Sequence, residues 1–380
     1  MDQRTPPNLA YDAVAAARQV AIAAAARAKD QDRDDGFPAE DVADLARVGL
    51  LTAPIPSDEG GVGLGEEPDA HDLARVLRLV GYGSLALGRI YEGHVNALQL
   101  IARYGTLAQE ARLFADARAG HLFGVWNTDA PSDCLRLGDD RRLRGVKTFA
   151  SGAGFVTRAL VTVKREPGAS PLMLVVPLQR GTRADLTGWR AHGMRASATG
   201  TVDFEDIAVI DEEILGAWDD YHRQPTFSGG AWRFAAVQLG GIEAVFDAWR
   251  GHLAETGRGN DPHQLARLGE GAIAVEGARG WVERAARVVV GSELAPERIV
   301  AFVNLARLAV ERAGLEVLQL AHRSVGLQGF LREHPLERLS RDLATYLRQP
   351  APDRALTTAA AEILEARGIA GDLFDGGELR

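Results

Sequence analysis

Apolar residues recur every three or four positions over most of this chain, and the spacing changes only in one central stretch. Residues 9 to 29 are Ala-rich with apolar positions at helical spacing. The segment Pro38 to Leu51 repeats that pattern, with Val42, Leu45 and Ala46 on one stripe, so both are predicted amphipathic helices. Pro54 to Gly65, PIPSDEGGVGLG, is dense enough in Pro and Gly to be a loop. No strand precedes it and no Gly-Lys-Ser/Thr follows, which argues against a phosphate-binding loop. Three more helical stretches fill Asp69 to Gly120, with a break at Gly81-Tyr82-Gly83; Gly105 ends a later one and Thr106 can cap the next. From His121 to about Gly216 the segments LFGVW, LRLGDDRRLRGVKTFASG, ALVTVKRE, LMLVVPL and TVDFEDIAVI are short, β-branched and separated by turn residues, as strands are. Gly138-Asp139-Asp140 is a hairpin-turn candidate. Helical periodicity then returns over 229–256, 262–290, 296–325, 336–347 and 354–367, with Pro262, Pro296 and Pro335 at starts that tolerate proline. The last ten residues, GDLFDGGELR, are expected to form a loose or exchanged tail. The pattern predicts an α+β multidomain protein: a helical N-terminal domain over 1–120, a middle β-barrel or sandwich over 121–216, and a C-terminal four-helix-type bundle over 217–380.

The totals sharpen this picture in a few places. At 380 residues, 46% hydrophobic and 25% charged, the composition is globular and leaves room for a large core. The net charge of −9 argues against a nucleic-acid partner, which needs a concentrated basic face. Nearly all the positive charge is Arg; only Lys29, Lys147 and Lys164 are Lys. Genomic base composition is the first explanation for that bias and anion recognition the second. The lone Cys134 excludes an internal disulfide or a cysteine metal cluster. The polar start, MDQRTPPN, lacks the form of a signal peptide, and no apolar run of about 18 residues is present, so a soluble cytoplasmic protein with no membrane span is expected.

Three pieces of the β-rich stretch stand out in order: Trp126-Asn127-Thr128-Asp129, Gly145 to Gly154 (GVKTFASGAG), and Gly193-Met194-Arg195-Ala196-Ser197 followed by Val202 to Val209. Farther on, RSVGLQGFLREHPLERLSRD runs from Arg323 to Asp342. Together these resemble the acyl-CoA dehydrogenase superfamily, and the likeness spans nearly the whole chain. The Pro54–Gly65 loop is similar to that family's Pro-x-x-x-Gly-Gly loop. The resemblance implies FAD held at the middle β domain. Trp126, Asn127 and Thr128, and more loosely Ser132, sit where the family's Thr-Glu-Pro-type segment lies along the flavin ring; Phe149-Ala150-Ser151 sits at its Trp-Ile-Thr segment. Gly326, Gly329, Phe330, Pro335, Leu339, Arg341 and Asp342 match the C-terminal motif, with Arg323 in place of a Gln and Leu327 in place of a Gly. In the family that loop meets the adenosine part of a neighbouring subunit's FAD, and Arg258 resembles an Arg that pairs with the pyrophosphate. A homodimer or homotetramer is therefore implied, with an electron-transfer flavoprotein or a flavin reductase as a further partner.

The family's dehydrogenases remove an α-proton from an acyl-CoA thioester with a Glu nine residues after the Arg of Arg-Asp. Counting nine from Arg341 reaches Pro350, and the family's second location for the base holds Trp232-Arg233. Proline offers neither a base nor a backbone N–H. Three readings follow. The chain oxidises an acyl thioester or related carbonyl compound with a relocated base; it is a two-component flavin monooxygenase that takes reduced FMN or FAD as co-substrate and uses a flavin hydroperoxide; or it is a non-catalytic flavin-fold subunit. His94, Ser151 and His334 are the candidate hydrogen-bond donors or catalytic groups. The alternative for His94 is a packed helix residue, and for His334 a helix cap.

Overall fold

In a computed structural model, which describes residues 11–67, 70–131, 133–367 and 369–374, a middle region of small sheets lies between two helical regions. The first helical region holds α1 (Ala13–Gln31), α2 (Ala39–Arg47), α3 (Ala70–Gly83), α4 (Leu85–Tyr104) and α5 (Leu107–Arg118). Local chemistry sets the boundaries. Asp12 accepts from the Ala15 amide, Ser84 from that of Leu87, and Thr106 with Gln109 forms a reciprocal capping box. Helix α2 stops before Leu51, because the chain turns at Gly49 with φ +79°.

Among the described residues the middle region has nine short strands: β1 (Phe123–Trp126), β2 (Arg136–Leu137), β3 (Leu143–Arg144), β4 (Val146–Ala150), β5 (Arg158–Val163), β6 (Leu172–Pro177), β7 (Ala184–Asp185), β8 (Gly200–Asp203) and β9 (Ile214–Leu215). They make three sheets, in the orders β1-β5-β6-β9, β2-β3 and β4-β8-β7, and these do not close into a barrel. Strand β1 runs parallel to β5 while its other neighbours pair antiparallel. The turn at Gly138 joins β2 to β3, as its sequence suggests. Strands β5 and β6 are buried nearly end to end, which fits their continuous apolar runs.

The second helical region holds α6 (Thr226–Gly229), α7 (Trp232–Glu255), α8 (Pro262–Gly291), α9 (Pro296–Val325), α10 (Pro335–Tyr346) and α11 (Pro352–Glu365). Proline occupies the first turn of α8, α9, α10 and α11, where no amide partner is lost. Helices α3 and α7 cross closely: a Cβ on Gly81 would lie 2.3 Å from the Val237 carbonyl oxygen, and one on Gly240 would lie 2.0 Å from that of Arg78. Gly81 therefore belongs to a helix crossing as well as to a helix end. Of the last ten residues, Gly371 to Phe374 are described; the Phe374 ring packs on Phe302 at 5.1 Å, and the residues beyond lie outside the described set. Among the described residues, no helix is long and apolar enough to cross a membrane.

One side-chain cluster ties the three regions together. Arg341 on α10 pairs with Asp32, just after α1, at 2.5 Å and with Glu337 at 2.7 Å, and donates to the His192 carbonyl at 3.2 Å. The neighbouring Asp342 is buried and accepts from the Met194 amide at 2.6 Å. Gly193 lies so close that a Cβ would sit 2.1 Å from the Arg341 carbonyl oxygen. Breaking a largely buried ion pair leaves its partners unmatched, so Arg341→Met is expected to lower stability by about 2–4 kcal/mol in urea unfolding at pH 7. The Arg341 hydrogen bond holds the Glu337 carboxyl below its ordinary 4.5. A depressed carboxyl contributes stability above that value and loses it as pH falls, so the gap between wild type and variant should narrow below about pH 4.5.

Candidate functional site

The site begins with a lysine where the strand pattern wants an apolar residue. Lys147 on β4 is fully buried, and its ammonium reaches Asp129 at 2.6 Å, the Thr162 hydroxyl at 3.0 Å and the Asn127 carbonyl at 3.3 Å. Lys164 meets the other Asp129 oxygen at 3.0 Å. These bonds pin the Trp126–Asp129 segment beside β4, with the Thr148 amide adding a bond to the Thr128 carbonyl at 2.9 Å. The register between β4 and β8 slips between Lys147 and Ala150. Phe149 is left in a left-handed conformation, φ +52°, with its ring 65% exposed and edge-on to Trp189 at 6.2 Å.

A ledge results. Trp126 is buried beneath it, its indole N–H bonded to the Ser151 carbonyl at 3.0 Å. Asn127 and Thr128 are exposed, and the Asn127 side-chain carbonyl accepts from Thr162 at 2.7 Å. The Ser151 hydroxyl lies 3.2 Å from that of Thr199, which also meets the Ser197 hydroxyl at 2.7 Å. A flat aromatic surface beside free hydroxyl and amide groups fits a flavin ring, which needs both. Phe149, Ser151, Asn127 and Thr128 are the residues here that could hold it; Ser132 lies outside the described residues.

Two residues before Asn127, Val125 lines a cavity of about 1060 Å³ between the helical regions. The Pro54–Gly65 loop forms part of its wall, through Pro54, Pro56, Leu64 and Gly65. A polar chain borders it: Arg89 bonds one Glu92 oxygen at 2.5 Å, Asn96 bonds the other, and Arg233 donates to Asn96. Burial brings the Arg233 guanidinium down to about 10. Pro350 also faces the cavity, with its carbonyl held by Arg307.

The other candidates lie elsewhere. His94 is fully buried on a different side of α4 from Glu92; its Nε2 donates to the Leu51 carbonyl at 2.7 Å, and its Nδ1 accepts from the Phe123 amide at 3.1 Å. It joins α4 to the chain before the cavity loop and to β1. His334 caps α10, accepting from Leu336 at 3.1 Å, and meets His252 at 3.2 Å. Arg258 donates to the Ser324 carbonyl at the end of α9, at 3.0 Å. Arg323 is exposed and makes no hydrogen bond or ion pair among the described residues; Gly326, φ +73°, starts the loop beside it.

Sequence reasoning missed Glu92, Asn96 and Arg89. Their signal was a polar row at helical spacing on α4, a helix whose opposite face carries Val95 and Leu98, so that it is buried nearly all round. Arg233 was noticed as the absence of an acid and not as a cation.

An open aromatic ledge on a small-sheet region, between two helical regions and beside a large cavity, fits a flavin-dependent oxidoreductase. The chain belongs to the acyl-CoA dehydrogenase family: that family's N-terminal domain matches residues 12–121 and its C-terminal domain residues 223–347. It is 25% identical to a dibenzothiophene monooxygenase from Rhodococcus erythropolis, with 88% of this chain and 89% of the relative covered. It is 24% identical to a short-chain-specific acyl-CoA dehydrogenase from Clostridium acetobutylicum, with 82% and 86% covered. The structure of TdsC from Paenibacillus sp. A11-2 with FMN and indole superposes with a TM-score of 0.81 at 18% identity, covering 95% of this chain and 99% of that one.

Burial pushes the His94 imidazole from 6.5 down to about 4, so in the folded protein it stays neutral over a range where the unfolded chain takes up a proton. Stability is then full above about pH 6.5 and falls as pH drops toward 4, by roughly 3 kcal/mol from this group. Urea unfolding of wild type and His94→Gln at pH 7 and pH 5 should show the variant with the flatter dependence.

Proposed function

We propose that this protein is a flavin-dependent monooxygenase of the acyl-CoA dehydrogenase family, taking reduced flavin from a reductase and oxidising a small molecule in the cavity beside Val125. One observation carries the reading. Both positions where the family's dehydrogenases keep their base border the cavity, and they hold Pro350 and Arg233. A proline has no proton-accepting side chain, and a guanidinium stays protonated, so neither abstracts an α-proton.

The flavin supplies the activated oxygen when bound. The chain supplies the rest. Phe149 offers the ring a face, and the Ser151 hydroxyl, held 3.2 Å from Thr199, offers a hydrogen-bonding group at the ledge. The aromatic rings of Phe227, Phe234 and Trp232 give the cavity an apolar wall. Arg323 and Arg258 are assigned to the dinucleotide of an adjacent protomer. The exposed Leu327, Phe330 and Leu331 beside Arg323 support a homodimer or homotetramer.

Glu92 favours a second reading, dehydrogenation with a relocated base, because it is a buried carboxylate on the cavity wall. Both its oxygens are engaged by Arg89 and Asn96, which argues against it as a proton acceptor.

The decisive measurement is made on the purified protein with its flavin. Substrate-dependent oxygen uptake on supplying reduced FMN or FAD, with no bleaching of bound oxidised flavin by an anaerobic acyl-CoA panel, is the expected result. Anaerobic bleaching by an acyl-CoA that disappears in Glu92→Gln would replace this reading with the second.

A further inference from the structure

Most half-buried guanidinium groups among the described residues are matched to carboxylates. Arg78 meets Glu243 at 2.6 Å, Arg158 meets Asp116 at 2.6 Å, and Arg341 meets Asp32 at 2.5 Å. Arg136, Arg233, Arg267 and Arg307 break the pattern, and of these Arg233 and Arg307 share one cavity. Both are half-buried on the cavity wall, and neither forms an ion pair among the described residues. The single bond recorded for Arg233 uses its Nε, toward Asn96. Arg307 spends one donor on the Pro350 carbonyl and lies over the Phe234 ring at 5.8 Å. The remaining donors of both forks are free to serve a ligand.

The rest of the wall agrees. Arg103 and Arg354 also line the cavity without ion pairs, so four guanidiniums face two carboxylates, Glu66 and Glu92. Glu92 is already paired with Arg89. A chain of net charge −9 has thus gathered unpaired positive charge around one cavity, half-buried at Arg233 and Arg307 and exposed at Arg103 and Arg354. Holding a cation away from water with no counter-ion is unfavourable, and a ligand that brings the counter-ion removes the cost. The planar fork of Arg suits two-point binding of an oxyanion.

We infer that the cavity takes a small organic anion, whose carboxylate, sulfo or phospho group is bound by Arg233 and Arg307 while the rest of the molecule extends toward Val125 and the ledge. This deepens the proposed function and rests on the cavity being the substrate site. It also gives the two expected base positions one role, since Arg307 holds the first, Pro350, and Arg233 stands at the second.

Binding to the full-length, flavin-loaded protein tests this without turnover. Calorimetry and the fluorescence of the neighbouring Trp232 would follow benzoate and methanesulfonate, their neutral counterparts benzamide and dimethyl sulfone, inorganic phosphate, and butyryl-CoA. At least one of the three anions should bind saturably, an organic anion at least tenfold tighter than its neutral counterpart. Arg233→Gln and Arg307→Gln should each weaken that anion at least tenfold. The anion class that binds identifies the headgroup. Equal binding of charged and neutral probes, affinities unchanged in folded variants, or binding of butyryl-CoA alone would each overturn the inference. Should Arg233→Gln fail to fold, Arg307→Gln and the wild-type comparison still decide. Anion binding without oxygen uptake would sink the monooxygenase reading alone, and oxygen uptake without anion binding would sink this one alone.

Discussion

The Arg341–Asp342 cluster on α10 is the constraint on which the rest of the architecture depends. A carboxylate and a guanidinium on adjacent residues point to different partners: Asp342 to the Met194 amide, Arg341 to Asp32 and the His192 carbonyl. Each bond alone is modest, but together they join the end of α1, the loop before β8 and the C-terminal bundle at one point. The space left between the three regions is the cavity. The Gly193 backbone against Arg341 shows how tightly the join closes.

A second cluster shapes the ledge. Lys147 replaces an apolar strand residue with a buried cation, and Asp129, Thr162 and Asn127 satisfy it completely. Such a group is costly unless fully bonded, so its presence holds the Trp126–Asp129 segment against β4. The slip in register then turns Phe149 outward, at the place where a ring could lie on it. Ledge and cavity meet near Val125, so a cofactor on one and a substrate in the other would be neighbours.

Pro350 and Arg233, on the cavity wall, carry no proton-accepting side chain. Arg233 and Arg307 are half-buried there without an ion pair among the described residues. Unpaired guanidiniums favour holding a negatively charged compound. The Arg-rich composition, for which genomic base content was the first explanation, acquires a local meaning at Arg233 and Arg307.

Much of the fold was legible in the chain because it rests on local rules. The prolines at 262, 296 and 335 fall at helix starts, Thr106 with Gln109 forms its cap, and the change of period at His121 marks the first strand. The family resemblance located the ledge through Trp126 to Thr128 and Phe149 to Ser151. The sequence could not separate His94 from Glu92, two positions apart on one helix. Direction around a helix axis is decided by what packs on each side, and here Leu51 and Phe123 claim His94 while the cavity takes Glu92. Helix boundaries and strand spacing were therefore determined by the sequence itself. Which polar groups are spent on the protein and which remain for a ligand was decided only by tertiary structure, because a hydrogen bond depends on partners that lie far away along the chain.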